Sequence, residues 1–136
     1  MYILDALTLL RGKYLEPKYR SKWTGDNPAL GYCYIVCEAF FHYSDEPLEA
    51  YRISLGEFGT HWFLKRADGT IVDPTRSQFT FEIDYSQGQK SNYLKDMGTV
   101  ETSRGRISKR GYQMASYLHR VHVLNNGPAE ESTRPD

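Results

Sequence analysis

Cysteine is nearly absent from this chain: Cys33 and Cys37 are its only two among 136 residues. A pair this close in sequence builds no extracellular disulfide framework, and on one helix it would make a strained bridge. A zinc site would need two further ligands, and His42, His61, His119 and His122 are not clustered to supply them. No metal and no cofactor is therefore expected. A surplus of either charge is also missing, since 17 Lys and Arg balance 17 Asp and Glu. That balance argues against nucleic acid, whose phosphates call for a basic excess. No run approaches the roughly 20 apolar residues of a membrane span. Residues 1–10 are rather apolar, but Asp5 interrupts them and no basic segment precedes them. No signal peptide is expected, and the cytoplasm is the expected location.

What the chain does hold is one domain's worth of residues with 14% aromatics, 11 of them Tyr. A domain of this size buries roughly two thirds of its unfolded surface, enough for a core without staples. Ile3, Ala6, Leu7 and Leu10 form a helical stripe, and Ile35, Val36, Ala39, Phe40 and Tyr43 recur at helical spacing in a second helix over 32–42. Between them, residues 16–30 are polar and turn-rich. Strands are expected over 51–55, 60–65, 70–73 and 78–83. Asp84 to Ile107 is a long polar connection, of the kind that is functional or mobile. It is expected to form one rim of the site and to cover Cys33, tethered by Tyr85, Tyr93 and Leu94, the alternative being a floppy surface loop. Ser108 is a natural N-cap for a last helix from Lys109 to about Leu124, with Met114, Leu118 and Val121 inward. The domain is taken as 1–124, followed by a polar tail, 125–136.

Three residues carry the chemistry. Cys33 stands where loop becomes helix, just after Gly31 and Tyr32, and the helix dipole favours an anionic sulfur there. Cys37 lies one turn further in and reads as structural. His61 opens a strand and Asp73 ends the next one. A three-residue loop, Ala67-Asp68-Gly69 with Gly left-handed, pairs Arg66 with Thr70 and puts His61 and Asp73 on one face of the sheet. A two-residue loop would put them on opposite faces. A cysteine hydrolase needs a thiolate, a base and a group that orients the base, and Cys33, His61 and Asp73 are the candidates. Taken singly, Cys33 also reads as a half-buried structural Cys, His61 as a surface strand His and Asp73 as an Asp that starts the turn before Pro74. Asn27 is either an oxyanion donor or a turn residue before Pro28. Tyr32, Trp62 and Arg76 are candidates for substrate contact, although Arg76, with Ser77 and Gln78, is expected first of all to structure the turn after Asp73. Glu38 is either a buried partner for Arg76 or solvated. Lys109, Arg110, His119, Arg120 and His122 give a basic face to the last helix, solvated or an anion-binding edge for a nucleotide or acidic partner.

The stretch Asn27-Pro28-Ala29-Leu30-Gly31-Tyr32-Cys33, then His61-Trp62-Phe63, then Val72-Asp73-Pro74-Thr75-Arg76-Ser77-Gln78-Phe79 resembles the YunG family of small bacterial and phage proteins. The resemblance runs over about residues 20–124, with Ser108-Lys109-Arg110 continuing it. It implies an α+β, papain-like fold in which a helix carrying the Cys packs on a small antiparallel β-sheet, flanked by N- and C-terminal helices. It implies Cys33 as nucleophile, His61 as base and Asp73 as orienter. Two functions follow as expectations. One is a cysteine hydrolase or acyltransferase acting on an amide, isopeptide or thioester of a peptide, protein or small molecule. The other is a non-catalytic protein on the same fold that captures a small ligand, nucleotide or partner protein.

Overall fold

The structure, a computed structural model, describes residues 1–96 and 98–128, apart from the side chain of Tyr93. It is an α+β domain. In chain order the elements are α1 (Ile3–Leu10), α2 (Pro17–Arg20), α3 (Cys33–Tyr43), β1 (Leu48–Ser54), β2 (Thr60–Arg66), β3 (Ile71–Val72), β4 (Gln89–Lys90), α4 (Tyr93–Asp96), β5 (Val100–Thr102), β6 (Gly105–Ile107) and α5 (Lys109–Arg120). Strands β3-β2-β1-β4 form one antiparallel sheet, and β5 with β6 forms a separate ribbon. Among the described residues no helix is long and apolar enough to cross a membrane.

Helix α3 is the centre of the packing. On one side Val36 and Ala39 meet Ala6, Leu7 and Leu10 of α1 and Met114 and Leu118 of α5. On the other, Cys37 joins Leu48, Ala50, Trp62 and Leu64 of the sheet, with Leu94 of α4. Fully burying a Leu or Met stabilises by roughly 1.5–3 kcal/mol each, so the first cluster fixes α3 against α1 and α5 and the second fixes it against the sheet. The expected α1 stripe is the one that packs. Pro17 starts α2 at the first helical turn, where its missing N–H costs nothing.

The hairpin between β2 and β3 follows the expected register. Leu64 faces Val72, Lys65 faces Ile71, and the Arg66 N–H donates to Thr70 O at 2.9 Å. Gly69 sits at φ 88°, the left-handed conformation that the three-residue loop requires. Beyond β3 the expected strand over 78–83 does not form. Residues 76–78 make a 3-10 turn, and the Arg76 guanidinium takes the Phe79 and Phe81 carbonyls at 3.1 and 2.5 Å. The alternation of Phe79, Phe81 and Ile83 therefore reflects no sheet ladder, because those two carbonyls are committed to a side chain. Arg76 thus structures the turn.

Segment 84–107 does not cover Cys33 as expected: none of its described residues lines the cleft that Cys33 faces. It docks behind α3. Buried His42 joins Leu94 O at 2.7 Å and Thr102 Oγ1 at 2.6 Å, and Arg104 donates to Phe41 O at 2.9 Å. Leu94 is fully buried, as a tether should be, but in the core between α3 and the sheet. The Tyr93 side chain lies outside the described residues. Glu38 is fully buried and pairs with Ser108, not Arg76. It accepts from Ser108 N–H at 2.9 Å and Ser108 Oγ–H at 2.5 Å. Ser108 Oγ in turn accepts from Gly111 N–H at 3.1 Å, so the expected cap is present and tied to α3. Burial pushes the Glu38 carboxyl up to about 7, against the pull of both Ser108 hydrogen bonds.

Helix α5 ends at Arg120, short of the expected Leu124. His122 at φ 63° reverses the chain, with Val123 N–H on Leu118 O and His122 N–H on His119 O. That is a Schellman closure, which satisfies the last carbonyls. Of the expected tail, Asn125 and Asn126 both donate to Asp45, at 2.7 and 2.5 Å. Residues 129–136 lie outside the described residues.

Candidate active site

Two backbone features deliver Cys33 to the surface. Gly31 takes φ 83°, and a side chain there would press on Tyr19 Cβ at 3.2 Å. Tyr32 follows, fully buried, with its hydroxyl donating to Lys13 O at 2.8 Å. Tyr32 therefore anchors the helix entry and lines no part of the cleft, contrary to the substrate contact expected of it. Cys33 is then the first residue of α3, half-buried and facing a cleft of about 660 Å³. The first N–H groups of a helix have no intrahelical acceptor, so they are free to meet negative charge there.

His61 opens β2 and is fully buried. Its Nε2–H donates to Asp73 Oδ2 at 2.7 Å. Phe79 packs edge-to-face with the imidazole, centroids 4.9 Å apart and planes at 86°. The Cys33 thiol neighbours the same ring. Burial works against the imidazolium, but the hydrogen bond to Asp73, the nearby Cys33 sulfur and the charges of both outweigh it and raise the pKa to about 9. Nδ1, the nitrogen not used by Asp73, is buried without a hydrogen bond of good geometry. The sulfur therefore acts on the ring without closing an aligned bond, an arrangement that apo sites commonly show.

Asp73 holds a second partner that the sequence reading did not assign. Tyr85 donates its hydroxyl to the same Oδ2 at 2.7 Å, while its ring packs on Phe63 at 4.9 Å. Burial and the neighbouring carboxylate both push the Tyr85 phenol's pKa up, which keeps it a donor. Nothing local marks Tyr85. Its role arises because the chain after the 76–78 turn folds back past Asp73. Tyr85 is thus the part of segment 84–107 that reaches the site, and it does so through the carboxylate.

Cys37 is fully buried one turn inside α3, and burial, reinforced by Cys33, Asp73 and Glu38, pushes its thiol well up. A thiol held neutral is a packing group. Asn27 borders the cleft beside Cys33. Its Nδ2 donates to Gln78 O at 3.1 Å, leaving the second amide hydrogen uncommitted by that bond. Trp62, 8% exposed, walls the cleft and meets Tyr34 edge-on at 5.3 Å. Arg76 is spent on the 79–81 backbone and lines no part of this cleft. Phe58, Phe79 and Phe81, not singled out from sequence as site residues, form the rim. Both cysteines are free, and among the described residues no three His, Cys, Asp or Glu converge as a metal site would need.

The arrangement can hold a proton on His61 beside a thiol, orient the ring from behind, and receive a ligand from the cleft side. Compared with family models, with curated proteins and with solved structures, the chain finds no match in any of the three.

Proposed function

We propose that this protein is a thiol-dependent acyl-transfer enzyme, a cysteine hydrolase or acyltransferase of papain-like design related to the YunG family. The observation that carries the reading is His61, fully buried, with Nε2 on Asp73 at 2.7 Å and Nδ1 left open beside a cleft-facing Cys33. A buried imidazole without such a task ordinarily satisfies both nitrogens. Cys33 Sγ attacks the acyl carbon of an amide, isopeptide or thioester, and its proton resides on His61. The resulting oxyanion is met by the Cys33 N–H and the Asn27 amide. Collapse expels the amine or thiol with the His61 proton. Water or an acceptor amine, deprotonated by His61, then releases the acyl group and restores the thiol. Asp73 keeps the ring in the tautomer that leaves Nδ1 toward sulfur, and Tyr85 holds Asp73.

Mass spectrometry after exposure to an activated acyl ester tests this. The wild-type chain gains one acyl mass, mapped to Cys33, and loses it with time, while Cys33→Ala gains none there. Equal acylation of both proteins would refute the reading. The non-catalytic alternative has its own support in the aromatic lining of the cleft, and predicts ligand binding without any acyl adduct.

A further inference from the structure

The cleft at Cys33 does not stand alone. A second cavity of about 610 Å³ adjoins it, and the two share Tyr19, Gly31, Tyr34, Thr60 and Trp62 as common walls. Together they make one groove with two unlike arms. In the Cys33 arm, Phe58–Phe81, Phe79–Phe81 and Phe58–Phe79 ring centroids lie 4.9, 5.3 and 6.4 Å apart. Phe58 is 57% exposed, an unusual exposure for a Phe already grouped with two others. The other arm is bordered by Arg52, Lys109 and Arg110.

Charge is distributed unevenly. The whole chain carries 17 basic and 17 acidic residues. The groove, however, is lined by Lys22, Arg52, Lys109 and Arg110 against Glu16, which stands 4.0 Å from Arg110. A concave wall of one sign concentrates its field and selects ligands of the other. The three Phe rings meet at 44°, 45° and 82°, which shapes a pocket for a side chain, not a parallel platform for stacked bases.

We propose that the groove binds an acidic peptide segment, with an aromatic or large aliphatic side chain among Phe58, Phe79 and Phe81 and carboxylates near Arg52, Lys109 and Arg110. This substrate class rests on the acyl-transfer reading for its chemistry, since a thiol attacks an acyl carbon of the bound chain. The binding itself stands apart from that reading.

The test uses the full-length Cys33→Ala protein and fluorescein-labelled short peptides read by anisotropy. The peptides carry Phe followed or preceded by two Glu, with controls in which Lys replaces Glu or Ala replaces Phe. A labelled single-stranded oligonucleotide is included. The Phe–Glu peptide, in one of its two directions, binds at least about tenfold more tightly than either control, and raising salt to about 0.5 M weakens it. Lys109→Glu, alone and with Arg52→Glu, weakens it by about tenfold or more; both positions are exposed, so the fold persists. No binding, indifference to peptide charge, or tighter binding of the oligonucleotide overturns the inference. Acylation of the wild-type chain by an uncharged ester, scored separately, tells the two failures apart. Acylation without peptide selectivity sinks the groove assignment alone, and selectivity without acylation sinks the chemistry alone.

Discussion

Tyr85 and Cys37 separate what a residue does from what its neighbourhood in sequence suggests. Tyr85→Phe keeps the ring on Phe63 and removes only the hydroxyl from Asp73. The expected result is a fall in kcat of about 3- to 30-fold with KM nearly unchanged, because the ring of His61 is held less firmly while the cleft is intact. The His61 titration followed by NMR should move upward, as a carboxylate that loses a donor attracts the imidazolium proton more strongly. An unchanged titration with normal kcat would make Tyr85 a packing residue. The two cysteines should respond in opposite ways. Cys37→Ser puts a hydroxyl into a fully buried apolar site and should cost roughly 1–3 kcal/mol, whereas Cys33→Ser should leave the melting temperature nearly unchanged and abolish turnover. The reverse ranking in thermal melts would make Cys33 the structural one.

At the scale of elements, two buried titratable groups, Glu38 on Ser108 and His61 on Asp73, tie elements together and leave separate marks on the pH dependence of stability. Glu38 ties α3 to the cap of α5, and its folded pKa, near 7, lies above its ordinary 4.5. The folded state therefore keeps a proton that the unfolded chain has lost, so this contribution is full below about 4.5 and disappears as pH rises through 7. His61 links β2 to the end of β3, with a pKa raised from 6.5 to about 9. Its contribution is full below about 6.5 and is lost as pH rises through 9. Relative to wild type, Glu38→Gln should flatten the first window and Asp73→Asn the second, each by up to about 1.4 kcal/mol per pH unit. Urea unfolding at half-unit pH steps measures both. A wild-type curve parallel to Glu38→Gln between 4.5 and 7 would mean that the carboxyl is already ionised in the folded protein.

Across the whole molecule, α1, α3, α5 and the β2–β3 hairpin were legible because each is written locally, whereas the short helices α2 and α4 lie in segments read as turn-rich or as a connection. The α1 stripe, the Ser108 cap and Gly69 in its left-handed turn are short-range instructions, and the hairpin register that brings His61 to Asp73 follows from loop length alone. What the sequence concealed was long-range. Phe79 and Phe81 alternate like a strand, but Arg76 takes their carbonyls and turns them into a rim. Segment 84–107 looked like a cover because it is polar and long. Leu94, buried between α3 and the sheet, and the bond of its carbonyl to buried His42 tie it to α3 away from the Cys33 cleft instead. Tyr32, beside Cys33 in sequence, is buried in the core.

The pairing of Cys33 with His61 is the claim on which the chemistry depends, and thiol labelling at pH 6 with a thiolate-selective probe tests it most directly. Peptide mapping by mass spectrometry should find Cys33 modified at least about tenfold faster than a free thiol in a short peptide, with Cys37 essentially unmodified until the chain is unfolded. His61→Ala should remove that advantage while leaving the circular dichroism spectrum unchanged. Labelling of Cys33 at the free-thiol rate, or a rate indifferent to His61→Ala, would contradict the paired thiol and imidazole.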